Sequence, residues 1–341
     1  MGRITTTDIA NQMGISRGTV SKALNNRSRI DERTRLMVYK VAHEMGYKKI
    51  NLGTVSVSVD GVLSILVREQ LFGDPYWSVF IKSFEQEDIG KNYKYTVNIL
   101  STEDEDGIVF PKSFGEELPA GIVTIGPISE DYYRYLQSSK IPTIYVDTSH
   151  NINDAEVFGD TLLICNREHV YEMTSHLISQ GHTKLGFVGA EINCRSFQER
   201  WLGFCDGLNK NGLPLLDKFI YGMAYGEDIK NIRQWVSSLD EFPTAFVCTN
   251  DFYALTLKGA LGEQGLDVPR DIALCGFDND HRLAILYPEL TTTDSYAEYM
   301  GKRAKQKLNW RLNNPDAPYE VVKLRGQIYY RNSTEGYVHG G

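Results

Sequence analysis

Four polar residues stand just beyond apolar, β-branched runs: Asp147 ends the run 141–147, Asn250 and Asp251 follow 245–249, and Asp278 follows 272–277. Arg200 lies one helical turn behind Ser196, at the start of the apolar-periodic stretch 197–209. Carboxylates, an amide and a guanidinium, with the aromatic pair Tyr76 and Trp77, suit a hydroxyl-rich ring. Polar groups would grip its hydroxyls and aromatic faces would cover its apolar side. Asp278, Arg200 and Asn250 are the main contacts expected, while Asp147, Ser196, Tyr76 and Trp77 are divided between contact and structural roles. A second constellation lies near the start of the chain. There Arg17, Gly18, Lys22 and Asn25 share one side of a stretch whose other side carries Val20, Ala23 and Leu24. A basic face of that kind can meet phosphates and base edges.

Catalytic patterns are missing by comparison. Gly14-Ile15-Ser16-Arg17-Gly18 spells G-x-S-x-G, but a nucleophile elbow needs a strand before it, and here a helix comes first. No phosphate loop, dinucleotide fingerprint or metal-spaced histidine cluster occurs, and the seven histidines are scattered. The expectation is a protein that is not an enzyme and uses no cofactor or metal. The five cysteines (Cys165, Cys194, Cys205, Cys248, Cys275) are an odd number with no C-x-x-C pair, which reads as reduced, mostly buried thiols.

The elements that must position these residues follow from caps and periodicity. Thr5 with Asp8 three residues on resembles a capping box for a helix through Ile9, Ala10 and Met13, which Gly14 ends. Ser16 caps a second helix, and a third opens at Asp31 and stops at Gly46. Two short helices around a glycine-containing turn, the second basic on its outer face, form a helix-turn-helix. From Val62 onward strands at 62–67, 93–100, 120–126, 141–147, 184–189, 245–249 and 272–277 alternate with helices at 76–87, 169–180, 197–209 and 254–263. The fold class is therefore α/β: an all-α head on two doubly wound, parallel-sheet lobes. Ligands of such sheets bind beyond the carboxyl ends of the strands, where the polar residues above fall.

The string T-T-D-I-A-N-Q-M-G-I-S-R-G-T-V-S-K-A-L-N closely resembles the opening of lac repressor (LacI/GalR) family regulators. Later pieces match too: D-P-Y-W at 74–77, H-L-I-S-Q-G-H-T-K-L-G-F-V-G at 176–189, T-N-D-F-Y-A at 249–254 and V-P-R-D-I-A-L-C-G-F-D-N at 268–279. The resemblance spans nearly the whole chain. It implies a sequence-specific DNA-binding repressor whose body is like a periplasmic sugar-binding protein, with an effector, a sugar or sugar derivative, held between the lobes. It also implies that Thr19 and Ser21 steady the second helix on phosphates while Arg17, Gly18 and Lys22 read bases. With Thr5, Ser16 and Asn25 these form the expected DNA-binding set, and Arg3, Arg33 and Arg35 are further phosphate candidates. Double-stranded operator DNA, a small-molecule effector and a second copy of the chain are the expected partners. Three departures stand out: the helix between the second and third strands is short and irregular (102–118, with Pro111), Cys165 precedes Asn166 where the family often has Asp, and the connector 50–60, with alternating Val55, Val57 and Val59, favours an extended segment over the family's hinge helix. Leu52 remains a candidate for the family's minor-groove leucine.

Charge partitions accordingly. Residues 1–50 hold ten Lys and Arg against four Asp and Glu, a balance of +6, so the −8 of the whole chain leaves −14 on the rest. A basic head on an acidic body is expected when one part touches phosphate. No apolar run approaches a membrane span and Thr5, Thr6, Thr7 and Asp8 interrupt any signal-like segment, so a cytoplasmic protein that avoids membranes is expected. The divisions expected are 1–49 for the DNA-binding domain, 50–60 for the connector and 61–337 for the sensor. Within the sensor, lobe 1 takes about 61–160 and 291–322, and lobe 2 takes about 161–290 and 323–337. The competing classes, an α/β enzyme or a plain sugar-binding protein without DNA, are opposed by the missing catalytic patterns and by the helix-turn-helix.

Overall fold

The computed structural model describes residues 4–24, 30–31, 34, 37–38, 40–42, 45, 47, 60–72, 75–115, 117–151, 159–189, 193–222, 229–287 and 289–335. Asn25, Arg3, Arg33, Arg35, Leu52 and the connector up to residue 59 lie outside them. The chain forms two compact units, 1–59 and 60–341.

In the first unit Thr5 starts α1 (Thr6–Met13): its hydroxyl accepts from the Asp8 N–H at 3.4 Å, and Asp8 Oδ2 accepts from the Thr5 N–H at 2.8 Å. This is the reciprocal capping expected from the spacing. Gly14 takes φ 65°, a left-handed value that a glycine adopts without Cβ strain, and stops the helix. α2 (Arg17–Leu24) opens where Ser16 Oγ accepts from the Thr19 N–H at 3.0 Å. A third helix, α3, is described at 34, 37, 38 and 40–42, and Asp31 Oδ1 accepts from the Thr34 N–H at 2.9 Å ahead of it. Ile9, Val20, Ala23, Leu24, Val38 and Ala42 interlock as one small core.

The second unit runs β1 (Gly61–Arg68), α4 (Pro75–Gln86), β2 (Tyr93–Leu100), α5 (Thr102–Asp106), β3 (Gly121–Ile125), α6 (Glu130–Ser138), β4 (Thr143–Val146), β5 (Asp160–Ile164), α7 (Asn166–Ser179) and β6 (Leu185–Val188). It continues with α8 (Arg195–Lys210), β7 (Ile220–Tyr221), α9 (Ile229–Ser237), β8 (Ala245–Cys248), α10 (Asp251–Glu263), β9 (Ala273–Cys275), α11 (Leu283–Leu286), β10 (Thr292–Asp294), α12 (Ala297–Asn313), β11 (Val321–Leu324) and β12 (Gln327–Tyr329). Sheet one has the order β11-β5-β4-β3-β1-β2 and sheet two β7-β6-β8-β9, with parallel pairing throughout both; β10 and β12 form an antiparallel pair. Strands β3, β4 and β5 are buried along their whole length. Their near-continuous apolar composition is that of parallel strands covered on both faces.

The lobe divisions expected at about 160/161 and 322/323 fall within β5 and β11. Thr161–Ile164 stays in sheet one, hydrogen-bonded to β4 on one side and to β11 on the other, and β11 runs on to Leu324. The expected segmentation also lacks α6, α9 and α12. α12 is concealed by its cations: Lys305, Lys307 and Arg311 are buried, which a hydropathy pattern does not anticipate. Lys305 donates to the carbonyls of Glu85 at 3.0 Å and Glu87, while Lys307 and Arg311 meet the buried Asp160 carboxylate at 3.1 and 2.7 Å. Met300, Ala304 and Leu308 then seat α12 in the main core beside Phe80 and Phe84 of α4. Between α7 and α8, Gly203 allows close backbone approach, since a Cβ there would lie 2.3 Å from the Arg167 carbonyl oxygen.

The five cysteines are unpaired thiols, three of them buried. Among the described residues no helix is long and apolar enough to cross a membrane.

Candidate functional site

α2 presents Arg17, Gly18 and Lys22 exposed, with Thr19 and Ser21 half-buried at its flank. The Thr19 hydroxyl shares a 2.8 Å hydrogen bond with the Ser16 hydroxyl, which fixes the first turn on which the basic residues stand. Thr5 is exposed at the start of α1. A rigid helix carried on a buried apolar face and offering two cations and a bare backbone at Gly18 is suited to enter a DNA major groove.

In the second unit the carboxyl ends of strands from both sheets border one cleft. All seven residues singled out from the sequence line it: Tyr76, Trp77, Asp147, Ser196, Arg200, Asn250 and Asp278. Their roles differ. Arg200, 5% exposed, donates from Nε to Asn166 Oδ1 at 2.9 Å and from Nη1 to the Thr249 carbonyl at 2.6 Å. Its guanidinium lies 3.7 Å from the Phe277 ring centroid and its Nη2 is 3.5 Å from Asp278 Oδ1. Asp278 reaches that position from φ 103° and is followed by Asn279 at φ 50°. Two successive left-handed residues without Gly are strained, a feature that clusters at functional sites. Asn250 caps α10, its Oδ1 accepting from the Tyr253 N–H at 2.9 Å.

Asp147 is engaged on every side. Its Oδ1 accepts from the Thr148 and Ser196 N–H groups at 2.8 and 3.1 Å, and its Oδ2 accepts from the Ser196 hydroxyl at 2.6 Å and the Cys194 thiol at 2.8 Å. In the same lobe, at the start of α4, Tyr76 packs edge-on against Trp77, with ring centroids 4.8 Å apart. Burial, reinforced by the Asp278 charge, pushes the Tyr76 phenol up, so it stays a neutral hydroxyl. Behind the cleft Asp251 is buried between the Thr292 hydroxyl, which donates to it at 2.6 Å, and the Asp280 N–H, which donates at 2.9 Å. Burial pushes its carboxyl up to about 7.

Two profiles match this chain: "Bacterial regulatory proteins, lacI family" over residues 5–49 and "Periplasmic binding protein-like domain" over residues 174–334. The chain belongs to the lacI family of bacterial regulatory proteins. It is a DNA-binding transcriptional repressor, not an enzyme. The HTH-type transcriptional repressor PurR of Mannheimia succiniciproducens is 25% identical over 331 residues, covering 96% of this chain and 98% of the relative. Catabolite control protein A of Priestia megaterium is 23% identical over 347 residues, 97% of this chain and 99% of its own. Among solved structures, the lac repressor dimer bound to operator and an anti-inducer shares the fold at TM-score 0.68 and 17% identity, over 98% of this chain and 99% of the other.

Sequence reasoning missed several residues that line the cleft of this lacI-family repressor: Asn166, Cys194, Phe197, Leu71 and Met300. Asn166 was within reach, because it follows β5 as Asp147 follows β4, and the strand-end rule would have selected it had β5 been recognised. Cys194 and Met300 carried no such signal, since their positions depend on how the two lobes meet.

Proposed function

We propose that this lacI-family repressor binds a small neutral sugar between its lobes and, as a homodimer, couples that binding to its hold on a two-fold operator. The observation that carries the reading is the convergence of Arg200, Asp278 and Asn250 with the aromatic wall of Tyr76, Trp77 and Phe197 around one cleft. The Arg200 charge is answered within the protein, by Asp278. A free anion would have to compete with that carboxylate, whereas hydroxyls can accept from the guanidinium and donate to Asp278 together. Relatives in fold support the class: a transcriptional regulator solved with cellobiose has TM-score 0.69 at 19% identity, over 97% of this chain and 100% of that one. A regulator of Enterococcus faecium solved with ribose has TM-score 0.64 at 20%, over 79% and 98%.

On the DNA side Arg17, Gly18 and Lys22 are assigned to base edges, and Thr5, Ser16, Thr19 and Ser21 to the phosphate backbone. A thermal-shift panel of neutral sugars, sugar acids and purines tests the effector class, because a ligand that binds the folded state raises the melting temperature by mass action. Mobility shifts on DNA upstream of the protein's own gene, with and without the hit, test the coupling. A purine or sugar acid as the only stabilising ligand refutes the neutral-sugar reading.

A further inference from the structure

The polar groups left to meet a ligand stand on one side of the cleft. Asp147 and Ser196 are engaged with each other, and Asn166 is filled: its Oδ1 accepts from Arg200 Nε at 2.9 Å and its Nδ2 donates to the Ile164 carbonyl at 3.1 Å. The Tyr76 hydroxyl is hydrogen-bonded to the Ser295 side chain. What faces a ligand is the Arg200–Asp278 pair and the amide nitrogen of Asn250, whose oxygen caps α10. These three residues come from α8 and from the ends of β8 and β9, all in the second lobe. The facing wall comes from the lobe of sheet one: Leu71, Trp77, Val146, Leu162, Ile164 and Met300. Its five aliphatic members are each 4% exposed or less and belong to the main core, so this wall offers C–H groups and a thioether. Leu71, on the 3-10 turn Glu69–Leu71 after β1, lies over Gly126, with its Cδ1 2.1 Å from where a Cβ at 126 would sit. A side chain at 126 would displace it, so the bare backbone there keeps Leu71 in the wall.

We infer that the effector is a ring oxygenated along one edge only, which among neutral sugars means a deoxyhexose with a methyl group in place of its hydroxymethyl group. Its hydroxyls meet Arg200, Asp278 and Asn250, and its methyl and C–H edge lies against Leu71, Leu162 and Met300. A hydroxyl pressed against that wall gives up its water and gains no partner, which weakens binding roughly ten- to hundredfold. A methyl in the same place leaves water favourably and fills the contact. The inference deepens the neutral-sugar reading and rests on it for the word sugar, whereas the one-edged distribution of polar groups is a property of the cleft itself.

The test compares sugars that differ by one oxygen: D-fucose with D-galactose, L-fucose with L-galactose, and L-rhamnose with L-mannose, each titrated calorimetrically into the full chain. In any pair that binds, the deoxy member should be tighter by roughly tenfold or more. A parent hexose that binds as tightly as its deoxy partner, or more tightly, overturns the inference and leaves the neutral-sugar reading standing. Leu71→Asn and Met300→Gln are close in volume to the residues they replace and set an amide into the wall, so each should narrow the ratio by roughly threefold or more. Leu71 stands on a turn outside both sheets, and its variant decides if Met300→Gln does not melt cooperatively. A ratio unchanged by the added amide also overturns the inference. If no pair binds, the cleft is probed at millimolar concentration with a vicinal cyclohexanediol and with myo-inositol, reading the part of the tryptophan emission that Trp77→Phe removes. A response to the diol alone upholds the one-edged ligand even where the sugar reading has failed. A response to inositol, or to neither, overturns it.

Discussion

Arg200 illustrates how a cleft residue can serve fold and ligand together. Its spacing behind Ser196 suggested a polar anchor, and two hydrogen bonds and a stacked Phe277 also make it part of the second lobe's framework. Arg200→Ala should therefore abolish effector binding and also lower stability by about 1–3 kcal/mol, the cost of leaving buried hydrogen-bond partners unmatched. Asp278→Asn is the cleaner probe, since it removes the charge and keeps the shape. Calorimetric titration with the identified effector should show at least a tenfold weaker affinity, and wild-type affinity in both variants would show that the anchors lie elsewhere. At the DNA face, Lys22→Ala should relax preference at one operator position, worth roughly 1–3 kcal/mol there. An equal loss on all sequences would instead make Lys22 a phosphate contact. Asp251 gives a pH signature. Its folded carboxyl titrates near 7, above the ordinary carboxylate range, so the folded state holds the extra proton and stability falls as pH rises from about 4 toward 7. Asp251→Asn should flatten that part of the stability profile, read as melting temperature between pH 5 and 8. A parallel wild-type and mutant profile would exclude Asp251 as its source.

Among the elements, those with strong local signals were legible in the sequence and those stabilised by distant partners were not. The Thr5–Asp8 spacing announced α1, and the apolar runs announced β1, β3, β4, β6 and β8, because capping and two-sided burial leave their mark within a few residues. β11 is half exposed and alternating, and α12 carries its cations inward to Asp160 and the carbonyls at the end of α4, so neither could be read without knowing those partners. The cleft divides in the same way: Asp147, Asn250 and Asp278 came from strand ends, whereas the clasp around Asp147 depends on lobe placement. The α7–α8 contact offers a direct test of packing at this scale. Gly203→Ala would set a methyl group against the Arg167 carbonyl, so the helices must part, and a loss of about 1–3 kcal/mol is expected in denaturant unfolding. A neutral result would mean that the interface has slack that the 2.3 Å approach denies.

At the level of the whole molecule, the two-fold assembly expected for a repressor of this family needs an apolar face to bury. On α11, Ile285 and Leu286 are 81% and 71% exposed, and Phe252 at the start of α10 is 45% exposed. An association surface of this kind is a contiguous exposed apolar patch, and these residues are candidates for one. Leu286→Asp should convert the dimer to a monomer in analytical ultracentrifugation and weaken operator binding, while a dimer that survives the substitution would place the interface elsewhere. The order of the strands has a consequence for how the chain is made. Sheet two is complete once β9 has been synthesised, but sheet one waits for β11, and its covering helix α12 also comes after the second sheet. A ribosome-bound chain therefore carries a complete second sheet, though not yet the 331–334 segment that bonds to it, while β5 still lacks its outer neighbour and the main core lacks Met300, Ala304 and Leu308. Chaperone capture and misassembly during synthesis should accordingly concentrate on the earlier-made lobe, and a message truncated anywhere before codon 321 should leave that lobe unfinished.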